Sequence, residues 1–308
     1  MAEHTTTPGN PLREGMTRAQ RPTGPLLGII VTAALFLAGQ AVFLPLLGTG
    51  SGEGVTLGLR EQLLFSVMFA GSLVLLAAWV RWKERRPLGS LGFVPASGAG
   101  RRIGRGAITA LAFTGVVVAV NQLTGQAEFA RDGLKAANLV PALLLLIGFA
   151  IQGSTEEIFC RGYLTQALAR KWGLVAAVLI QTVFFAALHA ANGGLTAVAV
   201  ANLVLVALFL SFWSLAEGGL WEVCAFHAVW NWSQGNVYGA AVSNMHIATS
   251  VGDFRPKPGS NDLITGGGFG LEGSLLTTAL LAVGTICALI AYRRSTVIRA
   301  GAKRSPAQ

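Results

Sequence analysis

Eight stretches of about 20 predominantly apolar residues, the length a helix needs to cross the hydrocarbon core of a bilayer, recur along this chain. They cover residues 25–47, 62–80, 106–123, 139–169, 174–191, 195–216, 220–242 and 273–292. The expected fold is therefore all-α, a polytopic membrane helical bundle of about eight transmembrane helices. Composition agrees: 53% of the residues are hydrophobic and 12% charged, whereas soluble domains carry charge on about a quarter of theirs. The same figures exclude disorder, which needs the opposite bias.

The net charge of +9 would point to nucleic acid in a soluble protein. Here the basic residues stand between the apolar runs, so the charge reads as topology. With the N-terminus inside, the outer loops hold only Arg60, Arg131, Lys135, Arg255 and Lys257, while Arg81 to Arg105 and the C-terminal tail are strongly basic. Both termini are expected in the cytoplasm, and no nucleic-acid partner is expected. The polar segment 1–23, with Pro8, Pro11 and Pro22, reads as a disordered cytoplasmic tail, and no cleaved signal is expected.

The remaining chain divides into N-terminal helices at 24–138, a core at 139–244, and an outer loop, last helix and basic tail at 245–308. The loops at 81–105 and 243–272 are too short to bury a core of their own. Cys160, Cys224 and Cys287 lie inside apolar runs and read as buried thiols without disulfide or zinc spacing. No repeat is apparent, and nothing in the pattern bears on oligomeric state.

Ionisable side chains inside a span are tolerated only where they face the bundle interior. Glu156, Glu157, Arg161, His189 and His227 stand well inside the expected spans. Glu157 and Arg161 are four apart on one helix face, in the favourable order for an ion pair; Glu156 sits about 100 degrees round the helix with no basic residue one turn away. A turn near Trp172 would bring Glu156 and His189 to similar depth in an antiparallel hairpin. His227 and Asn231 share one face of the seventh run. A carboxylate, two imidazoles and a carboxamide suffice to activate water and stabilise an oxyanion. Pinning the helix to its neighbours is the better account of Glu157 with Arg161, a satisfied core residue that of a lone His189, and interhelical hydrogen bonds are the alternative for His227 with Asn231, whereas for Glu156 function is preferred. Asn192, Asn202 and Asn236 read either as lining a polar cavity or as hydrogen-bonded helix contacts. Trp221, Trp230 and Trp232 read as interface or packing aromatics, and His4 and His246 as solvated.

The order Glu156-Glu157-Ile158-Phe159-Cys160-Arg161, then Phe185 to His189, then His227 to Asn231 resembles the three signature motifs of the CAAX protease and bacteriocin-processing family, the Abi family of intramembrane endopeptidases. The likeness runs from Ile151 to Asn244, with Leu91-Gly92-Phe93 reminiscent of bacterial members. It implies a membrane enzyme that hydrolyses a peptide bond, with Glu156 as general base, His189 as its partner in holding water, and His227 with Asn231 at the oxyanion. Glu157 and Arg161 match the supporting pair. The implied partners are the bilayer and a peptide or membrane-protein substrate. An excess of Arg over Lys points to a GC-rich bacterium and its cytoplasmic membrane, where a leader peptide, a signalling precursor or a membrane-protein segment is the expected substrate.

No cofactor follows with certainty from these residue types. Glu156, His189 and His227 could bind a divalent metal such as zinc with one open position, although the two His flanking Glu-x-x on one helix are absent. Water activated by Glu156 without metal is slightly preferred, and both readings stay open. Two further classes are a proton-coupled transporter, disfavoured by the lack of an inverted repeat, and a non-catalytic immunity or scaffold protein, disfavoured by the intact set of polar residues.

Overall fold

The computed structural model describes residues 10–41, 55–93, 96–129, 135–190 and 192–302. The first nine residues with His4, the end of the first expected span past residue 41, Arg131, the Ala191 end of the fifth run, and the basic tail from Lys303 lie outside them. The chain is an all-α polytopic membrane bundle. Its helices are α1 (Pro25–Ala41), α2 (Leu59–Ala78), α3 (Ala99–Leu123), α4 (Leu139–Glu157), α5 (Thr165–Ala190), α6 (Ala197–Glu217), α7 (Trp221–Trp232), a single turn α8 (Asp262–Thr265) and α9 (Leu275–Ala302).

Each expected apolar run is helical over most of its described length; the seventh leaves the helix after Tyr238, short of the expected residue 242. Among the described residues, five helical stretches are long and apolar enough to cross a membrane, one of them Ala136–Ala190. That stretch contains two expected spans, while α1 with 17 residues and α7 with 12 are shorter. Three helices continue in wider π turns, at Trp79–Glu84, Ile158–Leu164 and Ser233–Tyr238. The long Ala136–Ala190 stretch is broken at Gly173, where φ 83 and ψ 165 put the backbone in a region open chiefly to glycine. There the chain turns back, one residue from the turn expected at Trp172.

The helices are sorted by what their faces carry. On α4, Leu145, Gly148, Gln152 and Glu156 form a buried stripe, whereas Val140, Leu143, Leu144 and Ile147 are exposed. Small and polar groups thus face neighbouring helices and aliphatic ones face outward, the arrangement expected in lipid. α4 packs between α2 and α7, α7 between α3 and α4, and α6 against α5 and α9. Close approach of α4 to α7 depends on Gly153: a Cβ there would stand 2.8 Å from the Ala228 amide nitrogen.

At the end of α2 away from its basic turn, β1 (Thr56–Leu57) pairs in parallel with β3 (His246–Ile247), and β2 (Ala127–Phe129) pairs antiparallel with β4 (Phe254–Pro256). The segment between α7 and α9 is more than a loop. It contributes Phe254 and Leu271 to a small apolar cluster with Val117, Val118, Ala127 and Ala240. Outside the spans, a hydrogen bond from Arg255 holds the Asp253 carboxyl below its usual range, with Lys135 adding to the effect.

Three expectations need correction. From Asn10 on, the N-terminal segment is ordered: Leu12 and Met16 are buried in the main core and the Asn10 amide donates to the Leu215 carbonyl. Apolar side chains at a four-residue spacing within a polar stretch gave this segment enough surface to dock. The 81–105 region is not simply a loop, since it holds a buried ion pair of Arg86 Nε with Glu84 Oε2 at 2.6 Å. Thr23 and Gln166 complete that network, so buried charge extends beyond the spans. Finally, Cys287 is exposed while Cys160 and Cys224 are buried; a residue in an apolar run can face outward as readily as inward.

Candidate active site

α4, α5 and α7 bring the expected residues into one group. Glu156 Oε2 lies 3.9 Å from His189 Nε2 and 3.8 Å from His227 Nε2. That oxygen is buried and has no hydrogen-bond partner. Buried carboxylate oxygens are ordinarily satisfied, and the spacing to both imidazoles suits one water held among the three groups, each within about 3 Å of it.

The ring tautomers follow from the opposite nitrogens. His189 Nδ1 lies 2.9 Å from the Phe185 carbonyl, one turn back on α5, and a carbonyl can only accept, so Nδ1 carries the hydrogen. His227 Nδ1 lies 2.8 Å from Glu157 Oε1 and donates to that carboxylate. Nε2 of each ring faces Glu156 Oε2.

Glu157 and Arg161 form the ion pair expected from their spacing, Nη1 to Oε1 at 3.0 Å. The pair has a second function that spacing does not reveal, because the same Oε1 also receives His227. Arg161 further stacks its guanidinium 4.4 Å from the centre of the Phe185 ring, which ties it to the turn that carries His189. A wider π turn between Ile158 and Leu164 follows the two glutamates, a feature frequent at functional sites.

Gln152 was not among the expected residues. Its Nε2 donates to Glu156 Oε1 at 2.5 Å, and its Oε1 accepts from Asn231 Nδ2 at 3.0 Å. One amide thus links the carboxylate on α4 to the carboxamide on α7. Its place one turn before Glu156 on an apolar helix was the available signal. Glu272, just before α9, also went unnoticed; it accepts from Trp230 Nε1 at 3.1 Å, beside Asn231.

The other polar candidates bond between elements. Asn202 donates to the Glu272 and Ser274 carbonyls, Asn236 to Gln62 and the Thr249 carbonyl, and Trp232 to the Ala142 carbonyl. Cys160 packs with Phe185, Ala199 and Leu203.

Residues 138–233 match the family model of the type II CAAX prenyl endopeptidase, Rce1-like. The segment is similar to that family. The match runs from the residue before α4 through α7 and includes Gln152, Glu156, Glu157, Arg161, His189, His227 and Asn231, in agreement with the family resemblance of the motifs. No curated protein and no solved structure matches the chain.

The donor types of the Rce1-like segment would suit zinc, but their spacing does not. Ligand atoms around tetrahedral zinc, with arms of about 2.0 to 2.1 Å, are about 3.3 Å apart, whereas Glu156 Oε2 is 3.8 and 3.9 Å from the two nitrogens. Among the described residues no group of three His, Cys, Asp or Glu side chains has metal-site geometry.

Proposed function

We propose that the protein is an intramembrane endopeptidase in which Glu156 and His189 hold and deprotonate a water molecule. The observation that carries this reading is the unpartnered Glu156 Oε2 set between two imidazole nitrogens; the Rce1-like match supports the class of reaction.

In the proposed sequence the water donates one hydrogen to Glu156 Oε2 and the other to His189 Nε2. As its oxygen bonds to the scissile carbonyl carbon, Glu156 takes a proton and the carbonyl oxygen gains the negative charge. His227 and Asn231 stand on α7, across from α4, and supply donors to that oxyanion; Glu157 offsets the charge of a protonated His227. Glu156 then passes its proton to the departing amine, the C–N bond breaks, and two peptides leave. No acyl-enzyme forms.

The basic residues at the cytoplasmic side of the expected topology support a bacterial cytoplasmic membrane with both termini on its cytoplasmic side. The test of function compares protein termini across the membrane proteome between cells with the wild-type protein and with Glu156→Gln. New termini that depend on Glu156 are expected. Identical termini in both, with the variant folded and inserted, would remove the assignment.

A further inference from the structure

The cavity that Glu156 lines, of about 90 Å³, has walls from two parts of the chain. Glu156, His189 and Asn231 belong to the segment that matches the family model, residues 138–233. Phe36 and Gln40 on α1, with Gln62 and Phe69 on α2, lie outside that segment and line the same space.

Three buried side-chain atoms of this lining have no hydrogen-bond partner among the described residues: Glu156 Oε2, Asn231 Oδ1 and Gln40 Nε2. The first two belong to the reacting groups. Gln40 does not, and it differs in kind, because its amide nitrogen donates whereas the two oxygens accept. Neighbouring amides are already used. Gln62 donates to the Leu57 carbonyl and accepts from Asn236, and Gln152 joins Glu156 to Asn231. Leaving a buried donor unmatched is costly, and native interiors pair nearly all of them.

The turn that carries Gln40 is firmly held. Four residues earlier, on the same helix face, the Phe36 ring meets Phe69 and Phe159 edge-on, with centroids 5.7 and 5.4 Å apart. The Phe36 carbonyl accepts from Ser72 Oγ at 2.8 Å. Gly39 lies so close to α2 that a Cβ there would stand 2.2 Å from the Ser72 nitrogen. The end of α1 is thus anchored both on α2 and on the π turn that follows Glu156, and it offers a positioned donor to the cavity that Glu156 lines.

Resting on the endopeptidase reading, we infer that Gln40 binds the substrate: its side-chain amide donates to an oxygen of the peptide held in this cavity. That oxygen is a main-chain carbonyl or the terminal carboxylate. Gln40 has no part in breaking the bond, so it sets how tightly the peptide is held and not how fast it is cut.

The test uses the full-length protein in proteoliposomes and a library of synthetic random-sequence peptides, from which one peptide cut by the wild-type protein and not by Glu156→Gln is taken as substrate. Gln40→Met keeps the length of the side chain and removes the donor. KM should rise by about 2- to 10-fold, the worth of one neutral hydrogen bond, and by more if the acceptor is a carboxylate. Kcat should change by less than about twofold, and the melting temperature in detergent should not fall. The peptide is then remade with a C-terminal amide, and with each carbonyl near the cut replaced in turn by a thioamide, a weaker acceptor. One of these changes should raise KM for the wild-type protein and leave that of Gln40→Met unaltered; amidation doing so identifies the terminal carboxylate, a thioamide the main-chain carbonyl. An unchanged KM in Gln40→Met, as for a donor satisfied by water alone, a loss confined to kcat, or an equal response of both proteins to every altered peptide overturns this inference and leaves the endopeptidase intact. No Glu156-dependent cut in any peptide overturns both.

Discussion

Nδ1 of His227 and Nη1 of Arg161 reach the same oxygen of Glu157, at 2.8 and 3.0 Å. A single carboxylate thereby joins an ion pair along one helix to a histidine on another. The pairing neutralises part of the charge and orients the His227 ring so that Nε2 faces Glu156. Glu157 thus connects Arg161 on its own helical stretch to His227 on α7.

Glu157→Gln is expected to lower the cleavage rate by up to about 10⁴-fold, the loss seen when the orienting acid behind a catalytic histidine is neutralised. The amide can still accept from one donor, so insertion and folding should survive. The measurement is kcat in proteoliposomes together with a melting curve in detergent. Near-wild-type turnover would show that His227 does not depend on Glu157.

Arg161→Ala should act first on stability. Arg161 is 1% exposed and Glu157 is fully buried, and removing one member of a buried pair leaves the other unpaired at a cost of about 3 to 5 kcal/mol. A marked fall in detergent melting temperature and yield is expected, partly restored by Arg161→Lys, which keeps the charge but loses the stack on Phe185. Unchanged melting with lost activity would assign Arg161 a direct part in the reaction.

Gln152→Leu removes the link between Glu156 Oε1 and Asn231 Nδ2 while keeping the volume of the side chain close. Each partner loses one hydrogen bond, and bonds of this kind contribute about 0.5 to 3 kcal/mol, most when a charged group is involved. Kcat should fall by roughly 10- to 100-fold with KM little altered, since the substrate's own contacts remain. A change confined to KM would mean that Gln152 reads the substrate and does not position Glu156.

Cys160 and Asn231 separate the two chemical routes. Cys160 packs among apolar side chains, so Cys160→Ala should keep activity. Asn231→Ala should lower kcat by about 10²-fold, roughly 3 kcal/mol, the scale of one oxyanion donor, without abolishing substrate binding. A thioester trapped on Cys160 would replace attack by water with covalent catalysis.

Much of this site was readable before any coordinates. Glu157 and Arg161 were paired from their four-residue spacing, and the depth match of Glu156 with His189 followed from a turn placed within one residue of Gly173. These relations are local or depend on a single hairpin, so helical geometry alone carries them. His227 is different. Its bond to Glu157 joins positions 70 residues apart, and no periodicity within either helix encodes which carboxylate it meets. Gln152 escaped notice for the same reason: as a lone amide it looks like any interhelical donor until Asn231 is seen across from it.

The sequence by itself determined the class of molecule, the apolar runs that become helices and the residues whose charge demands an interior position, because hydrophobic length and desolvation act on each segment independently. Only the tertiary structure decided that residues from Asn10 onward dock into the core, that Glu84 and Arg86 form a buried pair, and that His189 and Asn231 each line two cavities. Those outcomes depend on which faces touch. That choice is made by close packing, such as the approach of α4 to α7 that Gly153 permits, where a single Cβ sets the distance between two helices and with it the distance between the groups they carry.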